Sequence, residues 1–184
     1  MKRCVDVGLS LLALVLLSPL LLATAIAVVC ESGRPVVFVQ QRVGRGGRPF
    51  GMLKFRSMVK DAAAIGPYFT TADDPRITRV GCFIRRTSID ELPQLLNVIK
   101  GDMSLVGPRP NVPVQRADYS ESDWVERCSV RPGITGLAQA QLRSEGTHQQ
   151  CLALDLQYVR ESRLGLDFRI MVLTVKRLSG RGSN

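Results

Sequence analysis

The sequence predicts an α+β fold, mainly helical, built from an N-terminal re-entrant membrane helix broken at a Ser-Pro step, a small β-hairpin and amphipathic interfacial helices. Three observations carry this reading. Residues Val7 to Cys30 form a run of 24 without a charge, with Ser18-Pro19 near its middle. Two β-branched stretches flank a connection rich in glycine at 44–49. Apolar residues recur at helical spacing around 92–99 and again over 151–176. A chain of 184 residues is enough for one domain with a core, so we divide it into a membrane segment, 1–33, and a domain on the cytosolic face, 34–184.

The oily run admits three readings. Met1-Lys2-Arg3, the leucine-rich centre and Ala25-Ile26-Ala27 imitate a cleaved signal, but Asp6 spoils the positive leader and the apolar run continues past the small residues. A simple spanning helix is long enough for a hydrocarbon core of about 30 Å. However, an interior proline removes one backbone hydrogen bond and clashes with the carbonyl four residues earlier, so the helix kinks at Pro19. Ser18 can offer its hydroxyl to the acceptor that the kink releases. Each arm, Val7–Ser18 and Leu20–Cys30, is then only about 17–18 Å long at 1.5 Å per residue. Basic residues flank both ends, Lys2 and Arg3 before and Arg34, Arg42, Arg45 and Arg48 after, whereas a spanning helix carries its positive charge asymmetrically. We therefore read the segment as re-entrant, with both ends cytosolic.

The net charge of +9 and a pI near 9.9 suit phosphate-rich partners: nucleic acid, anionic lipid headgroups or a nucleotide-linked substrate. Five cysteines without a CxxC pair argue against a disulfide framework and against zinc, and fit a reducing compartment. With a single histidine, any metal would be a hard ion bound through oxygen.

Within the domain, Val36–Val43 and Phe50–Met58 read as the two strands of a hairpin. The intervening Gly44-Arg45-Gly46-Gly47-Arg48-Pro49 lacks the lysine and helix start of a P-loop and reads as a turn. Lys54 and Arg56, two apart, share one strand face, and Leu53 and Phe55 take the other, toward the core. Residues 61–71 begin helix-like and turn loop-like at Gly66-Pro67. Leu92, Leu95, Leu96 and Ile99 mark a helix, and Pro93 is harmless only in its first turn, which puts the start near Asp90. Over 151–176 the apolar residues are too many for one narrow stripe; such a helix packs in the core or lies among headgroups with Arg163, Arg169, Lys176 and Arg177 toward lipid phosphates.

Two carboxylates at a helix start ordinarily cap it and offset its dipole. Here Arg85 and Arg86 precede Asp90-Glu91, and Arg109 follows between two prolines that stiffen its backbone for phosphate contact. An ionised Asp in that positive field, its pKa lowered, is a plausible nucleophile toward a phosphate.

The motifs Lys2-Arg3-x-x-Asp6, Ser18-Pro19, Lys54-Phe55-Arg56-Ser57-Met58, Asp74-Pro75-Arg76-Ile77-Thr78-Arg79, Ser88-Ile89-Asp90-Glu91-Leu92-Pro93, Gly101–Pro110 and Arg131-Pro132-Gly133-Ile134-Thr135-Gly136 run through the whole chain in order. Together they resemble the bacterial monotopic phosphoglycosyl transferases, or polyprenyl-phosphate sugar phosphotransferases, and the length resembles their minimal, single-domain branch. The resemblance implies a cytosolic active site at the bacterial inner membrane that opens glycoconjugate or polysaccharide assembly. A UDP-sugar gives its sugar phosphate to an aspartate and UMP leaves; polyprenyl phosphate (undecaprenyl phosphate) then takes the sugar phosphate. By motif position Asp90 is the nucleophile and Glu91 its acidic partner, the pair holding Mg²⁺. Arg85, Arg109, Lys54 and Arg56 stand near the phosphates, and Ser18 and Pro19 break the membrane helix. The implied partners are the UDP-sugar, the polyprenyl phosphate and membrane lipids, not nucleic acid; the sugar and the oligomeric state, a homo-oligomer included, are left open.

One stretch departs from the family. Where an Asn-Gly-Arg-Asn-like segment is usual, this chain has Gln141-Leu142-Arg143-Ser144, which keeps Arg143 as a candidate contact to nucleotide or sugar. Two rival functions stay open at this level: a basic membrane-bound binding module, which leaves Asp90-Glu91 without a reason, and a direct glycosyl transferase, which would release UDP instead of UMP.

Overall fold

The computed structural model describes residues 1–62, 66, 74–142 and 146–178. Helices α1 (Lys2–Leu16) and α2 (Ser18–Ser32) meet at Leu17 with a bend of 64°. Pro19 occupies the first turn of α2, where its missing N–H is harmless to that helix, but it cannot give the Val15 carbonyl of α1 the i→i−4 bond of a continuous helix; a backbone N–H at the cap of α1 donates there instead. Ser18 Oγ donates to that carbonyl at 2.8 Å. Among the described residues no single helix is long and apolar enough to cross a membrane. Each 15-residue arm is about 22 Å long, so the bend sets the apex about 12 Å off the line joining the two outer ends.

Both outer ends are fastened to the same domain. At the start of α1, Lys2 pairs with Asp167 at 2.6 Å, Arg3 donates to the carbonyls of Val98 and Ile99, and buried Asp6 accepts from Ser104 Oγ at 2.8 Å. At the end of α2, Val28 packs with Phe55 and Ile84, and Glu31 accepts from the backbone N–H groups of Arg79 and Val80. The apex is different: Leu11, Leu12, Val15, Leu16 and Leu22 are all at least half exposed.

Strands β1 (Val37–Val43) and β2 (Pro49–Phe55) form the expected antiparallel hairpin, in register Val37↔Phe55 to Val43↔Pro49. The second strand is shorter than its β-branched pattern because its partner begins only at Val37; Met58 bridges to Ile77 instead. Helix α3 (Arg79–Arg86) starts at a Thr78 cap that accepts from the Gly81 N–H. A 3₁₀ turn, Ile89–Glu91, then leads to α4 (Gln94–Lys100). The helix expected to begin near Asp90 thus begins at Gln94, with Pro93 as its N-cap, and the acid pair stands in the tighter turn before it. Residues 63–65 and 67–73, read as part helix and part loop, lie outside the described residues.

Asn97 sets α4 against the hairpin. It is fully buried, accepts from the Leu53 N–H at 2.9 Å and donates to the Gly51 carbonyl at 2.8 Å, so its amide completes the backbone bonding of β2. Short strands β3 (Ser104–Val106) and β4 (Gly133–Thr135) pair in parallel, an element whose three-residue length left no pattern to read in the sequence. A Cβ at Gly133 would collide with the Gly107 backbone, so this close approach requires glycine.

After α5 (Glu121–Arg127) and α6 (Leu137–Leu142), the C-terminal helical stretch proves to be two helices, α7 (His148–Glu161) and α8 (Leu164–Leu178), broken at Ser162-Arg163. Asp167 and Ile170 on α8 are buried, while Phe168 is 66 % exposed and Val175 65 %. The helix packs one side on Val106, Leu137 and Tyr158 and leaves another apolar side exposed.

A Cβ at Gly81 would run into the Ser57 carbonyl, whereas one at Gly165 meets open space. Gly81→Ala is expected to lose about 3 kcal/mol or more of stability and Gly165→Ala to lose none, as read by denaturant titration of the detergent-solubilised chain. Asn97→Ala, which orphans the Leu53 N–H and the Gly51 carbonyl, is expected to cost about 2–3 kcal/mol in the same assay.

Candidate active site

The acid pair lies where β2, the 3₁₀ turn and the loop after β3 meet. Ser88 precedes it in the left-handed region, at φ 58°, which turns the chain sharply out of α3 and presents the two carboxylates to the hairpin. Lys54, on β2, reaches Glu91 Oε1 at 2.8 Å and stands 3.9 Å from Asp90 Oδ2. Arg109 donates to the same Glu91 oxygen at 2.8 Å. Asp90 is buried, and Arg85, in the last turn of α3, adds to the positive field around it.

These charges act differently on the two acids. For Asp90 burial is the largest effect and raises the pKa; Lys54, Arg85 and Arg109 pull it down, Glu91 pushes it up, and the net direction is upward. The expectation that the cations would lower it is thereby corrected: loss of water outweighs them. Burial also pushes Glu91 up, but Arg109 and Lys54, each charged and hydrogen-bonded to it, outweigh that and hold it at about 2. Glu91 is thus a fixed anion that organises two cations, and Asp90 is the less solvated and less engaged partner.

Arg56 does not join this group. It is buried at the end of α2, donating to the carbonyls of Ser32 and Gly33 and to Ser32 Oγ. A helix C-terminus leaves carbonyls without partners, and a cation arriving there is drawn to them. The face shared with Lys54 in the strand therefore did not become a shared site. Arg143 lies outside the described residues.

Three residues not anticipated at the site hold Arg109 in place. Arg127 donates to the Arg109 carbonyl at 2.6 Å and is itself paired with Asp155 at 2.8 Å, with both side chains buried. Arg42 donates to the Pro110 carbonyl at 2.9 Å. Burial and the neighbouring Arg109 charge pull the Arg42 guanidinium down to about 10, although Glu91 opposes them. The prolines around Arg109 signalled a stiff backbone; the clamp on the Arg109 and Pro110 carbonyls comes from residues 18 and 68 positions away, and no local pattern announces it.

Beside the pair opens a cavity of about 500 Å³. Glu91, Arg109 and Ser88 line one side, and Leu95, Leu105, Ile134 and Met171 supply apolar wall. The hydroxyls of Thr135 and Thr174, 2.7 Å apart, and Gln139 add polar groups. Its volume is in the range of small-molecule sites. Lys54, Arg85, Arg109 and Arg42 bring four positive charges around two carboxylates, an excess that draws in an anionic molecule.

The family model described as bacterial sugar transferase matches residues 1–181. The chain is 44 % identical, over 96 % of its length, to an undecaprenyl-phosphate glucose phosphotransferase of Komagataeibacter xylinus. It is also 44 % identical, over 96 %, to a UDP-glucose:undecaprenyl-phosphate glucose-1-phosphate transferase of Caulobacter vibrioides. A UDP-N-acetylgalactosamine-undecaprenyl-phosphate N-acetylgalactosaminephosphotransferase of Aeromonas hydrophila is 42 % identical over 99 % of the chain. The chain spans 35 %, 69 % and 44 % of the lengths of these three proteins, respectively. The chain belongs to the bacterial sugar transferase family.

Proposed function

We propose that this chain transfers a sugar 1-phosphate from a UDP-sugar to undecaprenyl phosphate, releasing UMP, through a covalent intermediate on Asp90. The observation that carries the reading is a buried, weakly engaged Asp90 beside Lys54, Glu91 and Arg109, the last two of which line a cavity. The names of the relatives, which pair undecaprenyl phosphate with glucose or N-acetylgalactosamine phosphate, support the substrate classes.

In the first step a carboxylate oxygen of Asp90 attacks the phosphorus that bears the sugar, and the bond from that phosphorus to the bridging oxygen of UMP breaks. In the second, a phosphate oxygen of the polyprenyl acceptor attacks the same phosphorus, the bond to Asp90 breaks and the carboxylate is restored. Lys54 and Arg109 offset the charge that gathers on the phosphoryl oxygens, and Glu91 keeps both cations aimed at the site. Asp90 and Glu91 are two oxygen donors without nitrogen or sulfur company, a set that suits Mg²⁺, which keeps several waters and completes its shell on substrate phosphates. Bound there, the ion would add charge neutralisation at the transferring group.

The bent pair α1–α2 suits a re-entrant anchor on the cytosolic face of the inner membrane. An apex about 12 Å deep stays within one leaflet of a hydrocarbon core of about 30 Å, and both ends return to the domain. The acid pair then works at headgroup depth, where a lipid phosphate and a soluble nucleotide sugar meet without extraction of the lipid.

Asp90→Asn is expected to lower UMP release from a UDP-sugar panel at least about a thousandfold while membrane attachment persists; near-normal release would refute the covalent step. Lys54→Met should lower turnover about a hundredfold, whereas Arg56→Met, away from the acid pair, should lower stability with a much smaller effect on turnover, as compared by UMP release and denaturant titration. Reporters at the two termini are expected on the same, cytosolic side of the membrane; an exterior N-terminus would show a spanning helix.

A further inference from the structure

On the other side of β3 from the acid pair lies a second cavity, of about 210 Å³. Successive strand residues point to opposite faces, so Leu105 lines the first cavity while Ser104 and Val106 line the second. We propose that this second cavity binds the phosphate of an anionic phospholipid.

Its cations are Lys2, Arg3, Arg45 and Arg131. Lys2 is committed to Asp167 and the Val106 carbonyl. The three arginines are not neutralised: among the described residues none of them forms an ion pair, and each is held by backbone carbonyls. Arg3 donates to Val98 and Ile99, Arg45 donates through Nε to Ser129 at 2.9 Å, and Arg131 donates through Nε to Gly101 at 2.8 Å. A carbonyl on Nε fixes the plane of a guanidinium and leaves its two terminal nitrogens free, the fork that grips a phosphate. Asp6, the one carboxylate in the lining, already accepts from Ser104 Oγ and the Leu105 N–H.

The surroundings identify the source of the phosphate. Lys2 and Arg3 open the helix whose following turns expose Leu9, Leu11 and Leu12. Ser162, at another side of the cavity, precedes α8, which exposes Leu164 and Phe168. A concentrated positive charge flanked by bare apolar side chains matches a molecule with a phosphate at one end and acyl chains at the other. The site uses neither Asp90 nor Glu91, so it stands or falls apart from the proposed transfer reaction. It grips α4 from behind: Arg3 and Arg131 sit on the carbonyls at the C-terminal end of this helix, whose N-terminal end follows the acid pair.

The test is native mass spectrometry of the full chain released from vesicles of equimolar phosphatidylcholine and phosphatidylglycerol. The wild-type chain is expected to retain phosphatidylglycerol in preference to phosphatidylcholine. Arg45→Gln, which removes only an exposed bond to Ser129, is expected to lower the retained fraction about tenfold, and Arg163→Gln, in the break before α8, to leave it unchanged. Equal retention by wild type and Arg45→Gln overturns the proposal. So does displacement of the lipid by millimolar inorganic phosphate, which would assign the cavity to a soluble anion.

Discussion

The architecture depends on one absent hydrogen. Pro19 cannot donate to the Val15 carbonyl, so an apolar run long enough to continue straight is bent by 64°. A backbone N–H at the end of α1 and the Ser18 hydroxyl serve that acceptor instead, so the bend leaves no bare carbonyl among apolar side chains. Everything else follows from where this sends the two ends. Lys2, Arg3 and Asp6 are tied to β3, α4 and α8, while Glu31 and Ser32 are tied to α3 and the end of β2. The exposed leucines of the apex project from a domain that holds both ends of the pair.

That domain solves a second problem, the burial of two adjacent carboxylates. Their mutual repulsion and loss of water are offset unevenly. Glu91 receives Lys54 and Arg109 directly and remains ionised to about pH 2, while Asp90 receives Lys54 at 3.9 Å and has its pKa raised. The cations are in turn fixed through their backbone: Arg109 by the Arg127 contact to its carbonyl, and the hairpin carrying Lys54 by the Asn97 amide. Rigid cations around a fixed anion leave one acid less engaged, an arrangement suited to a group that must form and break a bond.

The elements with a local signature were legible in the sequence. A 24-residue uncharged run with a central Ser-Pro announces a bent apolar helix, and Ser18 takes the role its hydroxyl chemistry suggests. The hairpin follows from its β-branched runs and glycine turn, and the C-terminal helices follow from their period, though not the break at Ser162-Arg163. What escaped depends on contacts between distant residues. The parallel pair β3–β4 is too short for periodicity. Arg42, Arg127 and Asp155 look like ordinary surface charges until the fold delivers them to the Arg109 loop. Arg56 stood next but one to a site residue on the strand and went to the α2 carbonyls instead. The direction of the Asp90 shift could not be read either, because nearby arginines are visible in a sequence and the depth of burial that outweighs them is not.

The most direct test of the account is the mass of the peptide that carries Asp90 after the purified chain meets a panel of UDP-sugars with no lipid acceptor. The account predicts that one donor leaves a sugar phosphate on that residue, that undecaprenyl phosphate then discharges it, and that Asp90→Asn never acquires it. Transfer of sugar phosphate to undecaprenyl phosphate by a chain that never carries the adduct, or carries it at another residue, would contradict it.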